Sequence, residues 1–272
     1  MNSAADIATI ADQAQSAIDH GRQIASFSAR DPSFTLEDAY RVSAVMRGVR
    51  LARGERVVGR KIGFTNRTIW PEYGVYAPIW GTMYGGTVHD LANLGGAFPL
   101  AGLCEPRIEP EIVFGLDRAP LPGSDDVSLL ASIEWVAHGF ELVQSIYPGW
   151  KFTPADTVAA NGLHGALLIG PRHAPDDDTE RWVRSLAGFE IALKRNGTAM
   201  DRGHAANVLE GPLSALRHLM DLLAADPDNP PLAAGEIVTT GTLTRALPVA
   251  PGETWRTELS GLALEGVEVR FE

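Results

Sequence analysis

The sequence predicts an α+β fold, with a small helical N-terminal part followed by a mostly β body. Three observations predict it. Apolar residues recur at helical spacing before residue 56, and from Arg56 onward short β-branched runs alternate with Gly and Pro. The chain of 272 residues, 45% hydrophobic and 21% charged, is long enough to bury an ordinary core. The expected division is a helical part over residues 1–55 and a β domain over residues 56–272.

The first helix is expected from about Ser3 to Ala25 and the second from Leu36 to Arg53. Thr35 and Asp38 form a capping-box pattern with Asp in place of Glu, and Gly54 stops the second helix. Strands are expected from Val57 to Thr65, Gly81 to Val88, Ile108 to Leu116, Gly139 to Ser145 and Ala166 to Ile169. Phe189 to Arg195 and Thr198 to Arg202 flank Asn196-Gly197, whose residues suit the positive φ angles of a type I′ hairpin turn. After Pro212, Leu213, Leu216, Leu219, Met220 and Leu223 mark another helix. Asp226 to Pro231 is a polar loop, and Glu236 to Thr242, Thr254 to Leu259 and Val267 to Phe271 close the chain as strands.

With 34 acidic and 23 basic residues the formal charge is −11, and there is no basic stripe. Such a surface argues against nucleic acid and for a small-molecule partner. Cys104 stands alone, so no internal disulfide forms; it reads as a small buried hydrophobe in a reducing compartment. Asp6 and Asp12 interrupt the N-terminal alanines, and no run approaches the ~18 apolar residues of a membrane span. A soluble cytoplasmic protein is expected.

The most informative stretch is Arg107-Ile108-Glu109-Pro110-Glu111-Ile112-Val113-Phe114. In a strand, Glu109, Glu111 and Val113 share one face, and Ile108, Pro110, Ile112 and Phe114 the other. Two carboxylates roughly 6 to 7 Å apart repel if both are ionised away from water. A divalent cation such as Mg²⁺ or Mn²⁺ resolves the conflict, and a solvated edge strand is the competing reading. Lys61, between Gly59 and Gly63 in an apolar run, is either a strand-surface residue or a functional cation. Asp156, in Thr153-Pro154-Ala155-Asp156-Thr157, reads equally as a helix cap. Thr240-Gly241-Thr242 is either a β-bulge or a carboxylate-holding turn. His138 reads as a hydrogen-bonded structural residue, His164 is treated alike, and Glu105 reads as a solvated loop residue.

Taken in order, Gly59-Arg60-Lys61-Ile62-Gly63-Phe64-Thr65, Pro106 to Phe114, Phe140-Glu141-Leu142-Val143, Asp156-Thr157 with Asn161, and Gly235 to Thr242 resemble the 2-keto-4-pentenoate hydratases and 4-oxalocrotonate decarboxylases of the fumarylacetoacetate hydrolase superfamily. The resemblance implies a mixed β-roll with a smaller helical N-terminal part, assembled as a homo-oligomer. It also implies Mg²⁺ or Mn²⁺ on Glu109, Glu111 and Glu141; Glu134 and His138 are nearby rivals for the third position. Lys61 and Asp156 are then the expected catalytic groups, with Lys61, Thr240, Gly241 and Thr242 holding substrate.

The implied chemistry is metal-assisted enolisation of a 2-oxo acid. Hydration of a 2-hydroxy-2,4-dienoate in aromatic catabolism is the first expectation. A 4-oxalocrotonate-like decarboxylase, an acylpyruvate-type C–C hydrolase, and a non-catalytic partner subunit of a related pathway enzyme are the alternatives. The chain departs from the commoner hydratase pattern at Gly74-Val75-Tyr76-Ala77-Pro78-Ile79-Trp80, where Tyr76 and Ile79 replace two acids. Phe64, Trp70, Tyr73, Tyr76 and Trp80 either line a more apolar pocket or pack the N-terminal part onto the β body.

Overall fold

The computed structural model describes residues 2–272, apart from the side chains of Ile69, Glu72 and Tyr73. Tyr73 as a pocket residue therefore lies outside the described residues. The expected α+β architecture, a curled mixed sheet with a helical N-terminal part, is what the structure has.

The first helix, Ala4–Asp19, is shorter than its apolar pattern because the chain turns at Gly21 (φ 55°), whose Cα faces the Gly102 carbonyl too closely for a side chain. Ser3 and Asp6 cap it reciprocally. The helix Leu36–Ala52 receives only half of its expected capping box. Thr35 accepts from the Asp38 amide, but the Asp38 carboxylate turns to the backbone and side chain of Asn2 and to Arg41. These helices bury Ile7, Ala14, Ala39, Val42 and Met46 against Ile79, Val143, Ile146, Tyr147 and Val158.

Twelve strands follow: β1 (Val57–Gly63), β2 (Ile79–Tyr84), β3 (Val88–Asp90), β4 (Arg107–Leu116), β5 (Ile133–Val143), β6 (His164–His173), β7 (Glu190–Arg195), β8 (Thr198–His204), β9 (Ile237–Thr239), β10 (Leu247–Pro248), β11 (Thr254–Ser260) and β12 (Glu268–Arg270). The larger sheet runs β2-β1-β9-β4-β5-β6-β3, with β10 also paired to β4, and the smaller runs β12-β11-β7-β8. Asn196 and Gly197 take φ 49° and 81° at the β7–β8 turn, as the hairpin pattern required. Ile108, Phe140, Leu142 and Leu168 of the large sheet pack on Leu193, Trp255 and Val269 of the small one. On the same side of the large sheet, Ile62, Ile112, Phe114 and Val238 meet the helices Thr179–Gly188 and Pro212–Ala224 through Trp182, Leu186, Leu216 and Leu219.

The register positions the site. In the antiparallel β4–β5 pair Glu109 lies opposite Glu141 and Glu111 opposite Gly139, so all three carboxylates stand on one face. Strand β9 lies between β1 and β4, pairing Thr239 with both Lys61 and Val113, which places Lys61 on that same face. The opposite face of β5 carries His138, which ties the two sheets together. Its Nδ1–H donates to the Glu111 carbonyl at 2.9 Å, and its Nε2 accepts from the Thr257 hydroxyl at 2.8 Å. Burial pushes His138 down to about 4, so the ring is neutral. Among the described residues no helix is long and apolar enough to cross a membrane.

Candidate active site

Glu109, Glu111 and Glu141 each present an oxygen within 4.8 Å of the other two. Glu111 and Glu141 are fully buried, and Glu109 is half-buried at the wall of a pocket. Lys61 Nζ sits 3.0 Å from Glu141 Oε2 and donates to the Gly162 carbonyl at 3.0 Å. Burial alone would depress the lysine, but Glu141, Glu109 and Glu111 outweigh it and raise Lys61 above the ordinary lysine value. Burial likewise opposes ionisation of Glu141; Lys61 and the His164 hydrogen bond overcome it and hold this carboxyl low. Glu111 is raised well above the carboxylate range by burial and by its two carboxylate neighbours. Burial, with Glu141 adding and Lys61 opposing, pushes Glu109 up to about 7.

One ammonium among three carboxylates leaves the cluster short of positive charge, and the hydrogen-bonding pattern shows where. Glu111 Oε2 accepts from the Gly241 amide at 2.8 Å, whereas Glu111 Oε1 is buried without any donor. A buried oxygen with no partner, in an all-oxygen set of converging carboxylates, fits a hard divalent cation.

The Gly241 position tolerates no side chain. Its φ is 92°, and a Cβ would stand 1.8 Å from Thr65 Oγ1. Sequence reasoning gave its amide to a substrate carboxylate; the structure gives it to Glu111. Thr240 is corrected likewise. Its hydroxyl donates to the Ile112 carbonyl at 3.0 Å, and it does not line the pocket. Thr242 does line the pocket, with its hydroxyl donating to the Thr244 carbonyl at 3.0 Å.

Asp156 is the larger correction. Instead of joining the cluster it caps the helix Pro154–Ala159 in a full capping box with Thr153. Its Oδ1 accepts from the Ser28 amide at 3.0 Å, and its Oδ2 from the Ser28 hydroxyl at 2.5 Å and the Thr153 amide at 2.8 Å. A carboxylate with that many donors is committed to joining this helix to the N-terminal part.

The pocket beside the cluster encloses about 730 Å³ including its open mouth. Phe64, Ile79, Val143, Trp150, Phe152, Leu163 and Ala246 form apolar walls, and Arg107 and Arg245 add cations that sequence reasoning did not assign. Arg107 lies over the Trp150 ring at 4.0 Å, and the Trp150 indole donates to the Glu105 carbonyl at 3.0 Å. Glu105 therefore braces the pocket wall, its side chain also accepting from the Gly149 amide and from Gln23. Ile79 lines the pocket as the departure from the family pattern implied. Tyr76 is 75% exposed and does not. Trp80 is core, stacked on Tyr40 at 5.3 Å, and Trp70 donates to the Phe64 carbonyl at 2.7 Å. Glu134 is exposed, and the His138 ring is spent between the sheets.

His164, read from the sequence as a structural histidine, touches the cluster. It is buried, with Nδ1 2.8 Å from Glu141 Oε1 and Nε2 2.9 Å from Thr87 Oγ1. Its position on β6, paired in register with β5, could be found only once that pairing was known.

The family described as Fumarylacetoacetate (FAA) hydrolase C-terminal matches residues 93–268. The chain belongs to this family. A 2-hydroxyhexa-2,4-dienoate hydratase of Comamonas testosteroni is 33% identical over 249 residues, covering 90% of each chain. A 4-oxalocrotonate decarboxylase of Pseudomonas putida is 32% identical over 244 residues, covering 88% of this chain and 87% of that one. The solved 4-oxalocrotonate decarboxylase from Pseudomonas putida G7, complexed with magnesium and adipate, superposes with TM-score 0.89 at 30% identity, over 100% of this chain and 99% of that one.

Two measurements check this site. Because Glu109 and Glu111 titrate higher folded than unfolded, the cation-free protein is favoured below the ordinary carboxylate value of 4.5 and loses stability as pH rises through about 7. A cation that relieves the repulsion should therefore raise the melting temperature more at pH 8 than at pH 5.5, read by thermal scans with and without Mn²⁺; an equal rise at both would contradict the charge imbalance. Asp156→Ala should cost about 2–4 kcal/mol in denaturant unfolding through the lost cap and stranded donors, while kcat changes by no more than a few-fold.

Proposed function

We propose that this protein is a divalent-metal-dependent lyase that hydrates 2-hydroxy-2,4-dienoate or 2-oxo-4-enoate acids through an enolate, with Glu109, Glu111 and Glu141 holding Mg²⁺ or Mn²⁺. The observation that carries this reading is the set of three carboxylate oxygens within 4.8 Å, one of them without a donor, beside Lys61 at the base of an apolar-walled pocket. Held there, a dication supplies Lewis acidity that stabilises negative charge on the 2-oxo oxygen.

The protein's own groups supply the rest. Lys61 Nζ is the one lysine among the described pocket residues, and it offers an ammonium to a substrate carboxylate or a proton to the carbon skeleton. Phe64, Val143, Phe152 and Leu163 exclude bulk water and so strengthen every charge interaction at the cluster. The hydratase relative and the magnesium-bearing decarboxylase structure support the same chemistry. A homo-oligomer and a cytoplasmic location belong to this proposal as well.

A specific observation favours decarboxylation as the second reading. Arg107 and Glu109 are two apart on β4 and share a face, a separation of roughly 6.6 to 6.8 Å. Both line the pocket, and a guanidinium there would pair with the second carboxylate of a diacid substrate. With Asp156 committed as a cap, the described pocket walls hold no carboxylate beyond Glu109 and Glu111 to serve as a base for water.

Glu109→Gln should abolish metal-dependent turnover of 2-hydroxypentadienoate while the circular dichroism spectrum is kept; full activity of that variant in the presence of chelator would end the proposal. Arg107→Met separates the two reactions. It should raise KM for an oxalocrotonate-like diacid about 10- to 100-fold and leave that of a monoacid dienoate near the parent value, with released CO₂ measured against hydration product. Equal losses on both substrates would remove the diacid reading.

A further inference from the structure

Glu141 and its ion-pair partner Lys61 are both contacted by a single turn of chain. Asn161, Gly162 and Leu163 take φ of 55°, 64° and 63°, three successive residues in the left-handed region. Asn161 fixes this corner to β2: its side chain accepts from the Thr82 amide at 3.0 Å and donates to the Thr82 carbonyl at 2.9 Å. The corner then presents two groups to the cluster. The Gly162 carbonyl accepts from Lys61 Nζ, and the His164 ring, two residues on, meets Glu141 Oε1 at 2.8 Å.

We propose that His164 is a positioning residue for the proposed metal site, holding Glu141 so that Oε1 is withdrawn and Oε2 alone faces the other two carboxylates. The inference rests on the metal reading above, and nothing in that reading requires a histidine. The geometry supports it at both ends. Nδ1–H donates to Oε1 at 2.8 Å, which takes that oxygen out of competition and leaves Oε2, 3.0 Å from Lys61 Nζ. The far nitrogen, Nε2, lies 2.9 Å from Thr87 Oγ1, and that hydroxyl lies 3.0 Å from the Tyr84 carbonyl oxygen. The ring is thus fixed along its length and cannot rotate away from the carboxylate. A free glutamate side chain swings about three bonds; one held through Oε1 meets an ion with its geometry already set, so less freedom is lost on binding.

The test reads metal affinity directly, by titrating the purified protein with Mn²⁺ and following free ion by electron paramagnetic resonance. His164→Ala should weaken Mn²⁺ binding about 10- to 100-fold, the range found when a residue supporting a metal ligand is lost. His164→Asn, which keeps a donor near the Nδ1 position, should recover most of that loss. Thr87→Val, which releases only the far end of the ring, should weaken binding by less than the alanine change and covers the case in which the alanine variant fails to fold. A merely structural role predicts equal losses in the Ala and Asn variants, together with equal drops in cation-free melting temperature, and would overturn the proposal. So would parent-like affinity in His164→Ala or, if that variant does not fold, in Thr87→Val. Parent protein that takes up no Mn²⁺ would instead reject the metal reading itself, a result distinct from either.

Discussion

The rest of the site depends on one unbalanced charge cluster. Glu109, Glu111 and Glu141 converge inside a folded protein with Lys61 as their near cation, and two of the three are fully buried. Desolvating carboxylates at this spacing is costly, and a single ammonium offsets only part of the cost. The remainder is spread over fixed groups: the Gly241 amide on Glu111, and the His164 ring on Glu141. Each comes from a different part of the chain, so the cluster acts as a point where β1, β4, β5, β6 and the turn after β9 must all be in register. That requirement also accounts for strained backbone nearby, since Phe64, Trp150, Asn161 and Leu163 all take positive φ around this pocket, at about 1–3 kcal/mol each.

Much of this was legible in the sequence, for a physical reason. Alternation along a strand puts Glu109 and Glu111 on one face whatever the partner strand is, so their proximity is a local property. Glu141 needed more: its run reads as a buried strand, but its position opposite Glu109 follows from the β4–β5 register. The helices Leu36–Ala52 and Pro212–Ala224 were legible from periodicity and caps, and the Asn196-Gly197 hairpin from turn chemistry, whereas the helix Thr179–Gly188 was not read. What was not legible was which hydrogen bonds polar residues would choose. Asp38 matches a capping box yet reaches to Asn2, and Asp156, whose cap with Thr153 the local pattern allowed, also holds the distant Ser28. Both outcomes depend on which distant donors the fold brings within 3 Å or so, which no local pattern encodes. His164 is the mirror case, a histidine with no motif around it that the β5–β6 register delivers to Glu141.

The two ends of the pocket are built by different means, and this bears on which reaction follows. At the inner end, every group that touches the cluster is held by sheet register or by a turn locked to the sheet, as the Asn161 side chain locks its corner to Thr82. At the outer end, Trp150 and Phe152 come from the connection between β5 and the helix Pro154–Ala159, and Arg245 and Ala246 from the connection between β9 and β10. Arg107, with Val143 opposite it in the β4–β5 register, lines the pocket from a strand, and its guanidinium lies over the Trp150 ring. Connections accept substitution more readily than register does. An inner end specified by strands therefore keeps the enolate-forming step the same, while an outer end specified by loops can change which substituent leaves or adds. Relatives named for hydration and for decarboxylation stand at nearly equal similarity to this chain, 33% and 32% identical. In the proposed function the three carboxylates and Lys61 would serve both reactions, and Arg107, Arg245 and the Trp150 wall, which line the pocket, would discriminate by matching a second negative charge on the substrate.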